Sequence, residues 1–417
     1  MTNRFINDNI YSHIEYTKFE GRILQTKILS RLLFITQNAL AYFSFPSINT
    51  KRYIHSLGTM HLASHMYKSA LLNAKSDLRS ELLKDIYKAI KKTESSLQIS
   101  TKIEKSRLFV DETLYQFLVP LKNDKERYAY IISLQAIRLC GLLHDVGHLP
   151  FSHQVEYALQ SIYSKLSKQS SHNREEVEFL EFYNSITNNQ DEVLHEAMGL
   201  SFCKMLFEYE LVQCFGLCDD RDYIKVVYSV VEHILKDREF CGFDFGVLHS
   251  IIDSTIDADR LDYINRDMLA SGYIGGAVDL LRIAKQSVLT KRKKEYYISF
   301  CDSAILDIEH MLEMRFNLYK KVIFHHQIAR KDAMLESLIA YLANKFFLQG
   351  SRKNNDISML WKFDKVKGLE QKLDTISLLD ENWLISLFKE EYFALKYDTD
   401  TKNKRSEERR VGKECRS

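Results

Sequence analysis

Hydrophobic residues recur at three- and four-residue spacing along most of this chain, the period that lays an apolar stripe on an α-helix. The spacing predicts a helix over residues 20–42 (EGRILQTKILSRLLFITQNALAY), broken at Pro46, and a second over 52–74 (RYIHSLGTMHLASHMYKSALLNA). Residues 75–128 are more polar, with amphipathic stretches, and read as an inserted helical segment. A helix over 129–144 follows, after which Gly147 and Pro150 are expected to turn the chain into another from about residue 153. Further helical periods cover 193–211, 224–237, 248–272 (ending near Gly272) and 303–348. Strand-like residues cluster only at QSVLT and YYISFC, on either side of the charged KRKKE, which predicts one hairpin over 286–301. The reading is an all-α fold with a small β-hairpin and no internal repeat.

Composition agrees with this. Three prolines and fourteen glycines are too few for a sandwich, a barrel or a disordered chain, and 417 residues that are 45% hydrophobic and 27% charged are enough for a large core. No run approaches the roughly eighteen apolar residues of a membrane span, and the first twenty residues lack a signal peptide's basic head and apolar stretch. A cytoplasmic protein without membrane association is expected. The seven cysteines show no CxxC pair, and Cys214 and Cys218 read as helix packing, so reduced thiols are expected.

Residues 405–417 (RSEERRVGKECRS) have no periodicity and read as the translation of a sequencing adapter, with a native chain expected to continue past about residue 404. Without them the formal charge of +2 becomes 53 basic against 53 acidic residues, so basicity is no argument for a nucleic-acid partner.

Four polar runs are left unexplained by amphipathicity: RYIHS at 52–56, HDVGHLPFSH at 144–153, HE at 195–196 and DADRLDYINRD at 257–267. In this order they resemble the HD superfamily of metal-dependent phosphohydrolases. Within it they resemble the branch of deoxynucleoside triphosphate triphosphohydrolases that includes the human sterile-alpha-motif and HD-domain protein. The resemblance covers roughly residues 20–330 and implies an orthogonal helical HD-domain core with a small hairpin. The domain reading is an HD phosphohydrolase domain over 1–330 with its insertion at about 66–128, then a helical or mixed module over 331–404.

Carried over by position, the resemblance implies one divalent metal ion (Mg, Mn, Fe or Zn) held by His55, His144, Asp145 and Asp259. Two imidazoles and two carboxylates offset much of a dication's charge and leave positions for water and phosphate. His148, His153 and His195 are implied to stabilise charge on the α-phosphate or protonate the leaving 5′-oxygen. Glu156 stands where the family has an aspartate that orients His195. Gln37, Arg52, Arg260, Tyr263, Asp267, Arg315 and Lys320 are implied substrate contacts, with Gln37 and Asp267 at the sugar hydroxyl and the cations at the triphosphate. The chain departs from the pattern at Asn38 (leucine in relatives), Tyr319 (histidine) and Ile323 (tyrosine), residues that bear on the choice between deoxyribose and ribose.

The implied reaction converts a deoxynucleoside triphosphate to a deoxynucleoside and inorganic triphosphate, in a homo-oligomer with a possible nucleotide activator. An alternative keeps the core and changes the substrate to another nucleotide or a nucleic-acid end. A non-catalytic binding module would rest on the basic KRKK at 291–294, which reads more simply as a solvated hairpin tip.

Overall fold

The computed structural model describes residues 4–109, 118–190, 192–273, 278–350 and 356–397. The tail at 405–417 lies outside these. The longer helices are α1 (Arg52–Asn73), α2 (Ser76–Ser96), α3 (Asp124–Leu143), α4 (His153–Leu166), α5 (Arg174–Ile186), α6 (Leu194–Met205), α7 (Cys218–Leu235), α8 (Ala258–Ser271), α9 (Ile305–Leu318), α10 (His326–Gln349), α11 (Leu369–Leu378) and α12 (Glu381–Tyr397). Among the described residues three antiparallel strand pairs accompany them: β1 (Phe5–Asp8) with β2 (Ser12–Glu15), β3 (Glu239–Phe240) with β4 (Phe243–Asp244), and β5 (Ser287–Arg292) with β6 (Glu295–Phe300). The mostly helical class is as expected. So is the hairpin over 287–300, although its strands take in Lys291 and Arg292 and leave Lys293 and Lys294 as the turn.

The core is built around α3, in which every residue from Tyr128 to Leu143 is buried. A helix buried on all faces needs neighbours on all faces, and α1, α2 and α7 pack against it. Its polar residues are matched inside the core: Arg138 donates to Glu20 Oε1 at 2.7 Å, and Gln135 donates to the same oxygen at 2.7 Å. The helix therefore fixes its own C-terminal end, where His144 and Asp145 stand. The first turns of α1 and α8 supply His55 and Asp259 from either side.

Two sequence expectations are corrected. Residues 20–42 form no continuous helix but short turns, Lys18–Ile23, Lys27–Ser30, Arg31–Phe34 and Ala41–Phe43. Ile28, Leu29, Leu32 and Ile35 are all fully buried, so the apolar period reports burial of a broken segment as faithfully as it would a helix. Arg31 pins that segment to the site, donating from Nη1 to the carbonyls of His148 (2.8 Å) and Leu379 (3.0 Å). The helix read over 248–272 starts only at Ala258, because Asp257 caps it by accepting from Arg260 N at 2.7 Å. Gly272, in the left-handed conformation with φ 74°, ends it as expected.

Candidate metal and phosphate site

The turn between α3 and α4 departs from the sequence expectation in how it is made. Phe151 (φ 58°) and Ser152 (φ 53°, ψ −128°) carry the reversal in backbone regions that L-residues rarely adopt. Gly147 serves close packing instead, since a Cβ there would lie 1.9 Å from the carbonyl oxygen of His195. The strain is held by Ser152, whose Oγ donates to Thr36 O (2.6 Å) and accepts from Arg52 Nε (2.8 Å).

Four side chains meet beside this turn. His55 Nε2 is 2.8 Å from Asp259 Oδ1 and 3.6 Å from Asp145 Oδ2; His144 Nε2 is 3.4 Å from Asp145 Oδ1 and 3.5 Å from Asp259 Oδ1. Hydrogen bonds on the far sides of both rings decide what faces inward. His55 Nδ1 lies 2.8 Å from Asp262 Oδ2, and His144 Nδ1 lies 2.9 Å from Gly141 O. A carboxylate and a carbonyl only accept, so both Nδ1 atoms are the donors and both Nε2 atoms present bare lone pairs. These two Nε2 atoms are buried without a hydrogen-bond partner, facing carboxylate oxygens. Lone pairs converging from two imidazoles and two carboxylates repel one another unless positive charge lies between them. The same demand for positive charge shows in the acid–base balance: burial opposes charge on His55, yet Asp259 and Asp262 carry its pKa up to about 10, so Nε2 takes up a proton wherever no cation supplies that charge. His55, His144 and Asp145 are thus positioned to coordinate one divalent cation, with Asp259 alongside.

A second histidine group, His148, His153 and His195, also brings its nitrogens close together. Ring orientation separates the two groups. The His55 and His144 rings are nearly perpendicular (77°, centroids 5.4 Å apart), whereas those of His148 and His195 are stacked at 12° and 4.2 Å. In-plane lone pairs of two stacked rings run parallel and do not meet at one ion. The stacked group suits proton and phosphate chemistry better than coordination. Glu156 bridges it, lying 2.9 Å from His195 Nδ1 and 3.2 Å from His153 Nδ1. Burial works against the Glu156 charge, but His153 and His195 hold its pKa below the usual carboxylate range. Burial and Arg52 push His148 well below the usual histidine range, so it stands as a neutral imidazole, where the sequence reading gave it positive charge.

These groups open on a cavity of about 820 Å³, lined among others by Gln37, Arg52, Arg260, Tyr263 and Arg315. That is ample for a nucleotide. Tyr319 and Ile323 line it from a widened turn that continues α9, closed by Phe324 N donating to Tyr319 O at 2.9 Å. Arg52 is buried and bonded to Asp145, so its charge is committed to that carboxylate. Burial opposes the Asp145 charge, and Arg52, His144 and His148 hold its pKa well below the ordinary range. Asp267 is buried behind Asn38, which donates to it at 2.7 Å. Lys320 is exposed, stacked 5.4 Å over the Phe316 ring, and stands apart from the cavity lining. At the KRKK hairpin tip, Lys291 is taken up by Glu81 at 2.8 Å.

Sequence reasoning missed Asp262, the partner of His55. Its position three residues after Asp259, on the same helical face, is the one signal that could have found it.

No protein-family model matches the chain. It is 22% identical over 357 residues to a putative HD domain-containing protein of Acanthamoeba polyphaga mimivirus, covering 85% of this chain and 61% of that protein. It is 24% identical over 328 residues to the deoxynucleoside triphosphate triphosphohydrolase SAMHD1 of Homo sapiens, covering 78% and 42%. The chain spans between 48% and 61% of the length of the first three curated relatives it matches. A solved phosphohydrolase from Bacteroides thetaiotaomicron superposes with a TM-score of 0.58 at 19% identity, over 93% of this chain and 72% of that one. No helix among the described residues is long and apolar enough to cross a membrane. Helical core, histidine–aspartate cluster and relatives agree: the chain has the fold of an HD-superfamily metal-dependent phosphohydrolase and is related, at low identity, to SAMHD1-like proteins.

Proposed function

We propose that this protein is a metal-dependent phosphohydrolase that cleaves deoxynucleoside triphosphates at the α-phosphate, releasing the deoxynucleoside and inorganic triphosphate. The observation that carries the reading is the convergence of bare lone pairs from His55, His144, Asp145 and Asp259 beside a Glu156-bridged histidine group, in one nucleotide-sized cavity. A bound divalent cation would supply Lewis acidity toward an α-phosphate oxygen and lower the pKa of a nearby water.

The chain's own residues do the rest. Water oxygen bonds to the α-phosphorus, giving up a proton to solvent, as the bond from phosphorus to the 5′-oxygen breaks. His195, held through Nδ1 by Glu156, delivers a proton to the departing 5′-oxygen, and His153 shares the same carboxylate. Arg260, Arg315 and Tyr263 take up charge on the triphosphate from the cavity wall. The homo-oligomer and nucleotide activator belong to the same proposal, and sizing the protein with and without nucleotide checks them.

The test is chromatographic product analysis with each deoxynucleoside and ribonucleoside triphosphate under Mg, Mn, Fe and Zn. Nucleoside and inorganic triphosphate are the expected products, and His144→Ala or Asp145→Ala should lose both bound metal and turnover. Release of monophosphate and pyrophosphate, or full activity in those variants, would overturn the reading.

A further inference from the structure

The His55 contact to Asp262 ends a longer chain of contacts that begins in the N-terminal hairpin. Asp262 is fully buried and receives four donors. His55 Nδ1 and Arg266 Nε reach Oδ2 at 2.8 and 2.9 Å, while Tyr11 Oη and Arg266 Nη2 reach Oδ1 at 2.8 Å each. Arg266 in turn donates from Nη1 to Asp8 Oδ2 at 2.9 Å. The other oxygen of Asp8 accepts from the backbone N–H groups of Ile10 and Tyr11 at 2.8 and 2.9 Å, shaping the turn that presents the Tyr11 hydroxyl. Space is closed from the remaining side, where a Cβ on Gly58 would come within 1.8 Å of Asp262 Oδ1.

We infer that the hairpin β1–β2 is a positioning element for the metal centre. Tyr11 and Asp8, some 250 residues from Asp262 in the chain, fix that carboxylate so that it holds His55 in the tautomer and orientation that present Nε2 to the cation. The inference rests on the metal reading proposed above. The physical logic is that a ligating imidazole is aimed by the group bonded to its other nitrogen, and a carboxylate there is itself aimed by its own donors. A carboxylate with four fixed donors has no rotational freedom left. Burial and Asp262 raise the Tyr11 pKa well above its ordinary value, so its hydroxyl stays protonated and donating across the usable pH range.

Tyr11→Phe removes one donor and keeps the ring, which packs on His61 at 4.9 Å. Mn and Zn dissociation constants by chelator competition, and the visible spectrum of the Co-substituted full chain, should be compared for wild type, Tyr11→Phe and Asp262→Asn, with melting temperature and far-UV circular dichroism recorded alongside. The expected result is metal affinity weakened about 10- to 100-fold in Tyr11→Phe, with a perturbed Co spectrum and an intact fold, and weakened at least as far in Asp262→Asn. Wild-type affinity and spectrum in either folded variant would overturn the inference. Wild-type protein that binds none of these ions would instead overturn the metal reading beneath it.

Discussion

Glu156 holds two histidines with one carboxylate, His195 at 2.9 Å and His153 at 3.2 Å, although these residues enter the cavity from different helices. Its charge is fixed by that bridge, so it positions imidazoles without itself exchanging protons near neutral pH. Glu156→Gln keeps the shape and removes the charge. The expected outcome is a fall in kcat of about 10- to 100-fold with KM nearly unchanged, because proton transfer is weakened and binding is not. Glu156→Asp should recover only part of the loss, since a side chain shorter by one methylene does not span both rings. Steady-state kinetics decide, and a change confined to KM would count against the assignment.

The end of the cavity at Gln37 and Asn38 has a different imbalance. Asn38 donates to Asp267 Oδ2, while Asp267 Oδ1 and Gln37 Oε1 are buried acceptors without partners. Burial raises the Asp267 pKa to about 6, which leaves it ionised at pH 7.5 and ready to accept. Acceptors call for hydroxyl donors; Gln37, Asn38 and Ile323 line the cavity, and Asp267 stands behind Asn38. In the proposed reaction, ribonucleotides should therefore be turned over within about tenfold of their deoxy counterparts, roughly one hydrogen bond of discrimination. Asn38→Leu should widen that ratio. Competition between dATP and ATP measures it, and strict deoxy selectivity in wild type would sink the prediction.

Stability should fall in mild acid through His61 and His65, further along α1 than His55. Burial, with Lys68, lowers His65 to about 4, and burial with His65 lowers His61 well below the ordinary range. Both rings are neutral in the fold and become protonated on unfolding. The unfolded value is about 6.5, so their contribution is intact above that pH and is lost progressively toward pH 4. For His65 alone the loss at pH 4 is about 3 kcal/mol. Melting temperatures from pH 7.5 to 4.5 should drop more steeply for wild type than for His65→Gln, and parallel curves would refute the assignment.

How much of this was legible in the sequence depends on what each residue answers to. His144, Asp145, His148 and His153 stood out because a helical period does not explain a run of polar residues at a helix end, and the fold brings His55, His195 and Asp259 to the same place. The segment 20–42 misled for the opposite reason: Ile28, Leu29, Leu32 and Ile35 obey a burial rhythm that a broken coil satisfies equally well. Asp262 was hidden because its contact to Arg266, four residues on, looks like an ordinary helical ion pair, while His55 is 207 residues away and Tyr11 gave no local sign of reaching it. The β1–β2 hairpin was missed too, its strands being four residues each and without clean alternation. Local pattern revealed chemistry-bearing residues but not the contacts that aim them.

Gly147 and Gly199 face each other where the α3–α4 turn meets α6, and they should respond to alanine in opposite ways. At Gly147 the added Cβ would lie 1.9 Å from His195 O and 2.3 Å from Gly199 N, backbone atoms that move only if α6 moves. At Gly199 the nearest atom would be Gly147 N at 3.6 Å, an ordinary contact. Gly147→Ala therefore has to displace α6 and with it His195, away from Glu156 and from the stacked His148. A stability loss of about 1–3 kcal/mol is expected from the overpacking, together with a drop in kcat larger than any drop in folded fraction. Gly199→Ala adds a methyl within a helix and removes backbone freedom from the unfolded chain, so it should be neutral or stabilising by up to about 1 kcal/mol, with kcat retained. Thermal unfolding and single-turnover rates on the two variants test the pair together. Equal effects at both positions would show that the turn and α6 are not in the tight register that places the Glu156-bridged histidines over the metal-binding cluster.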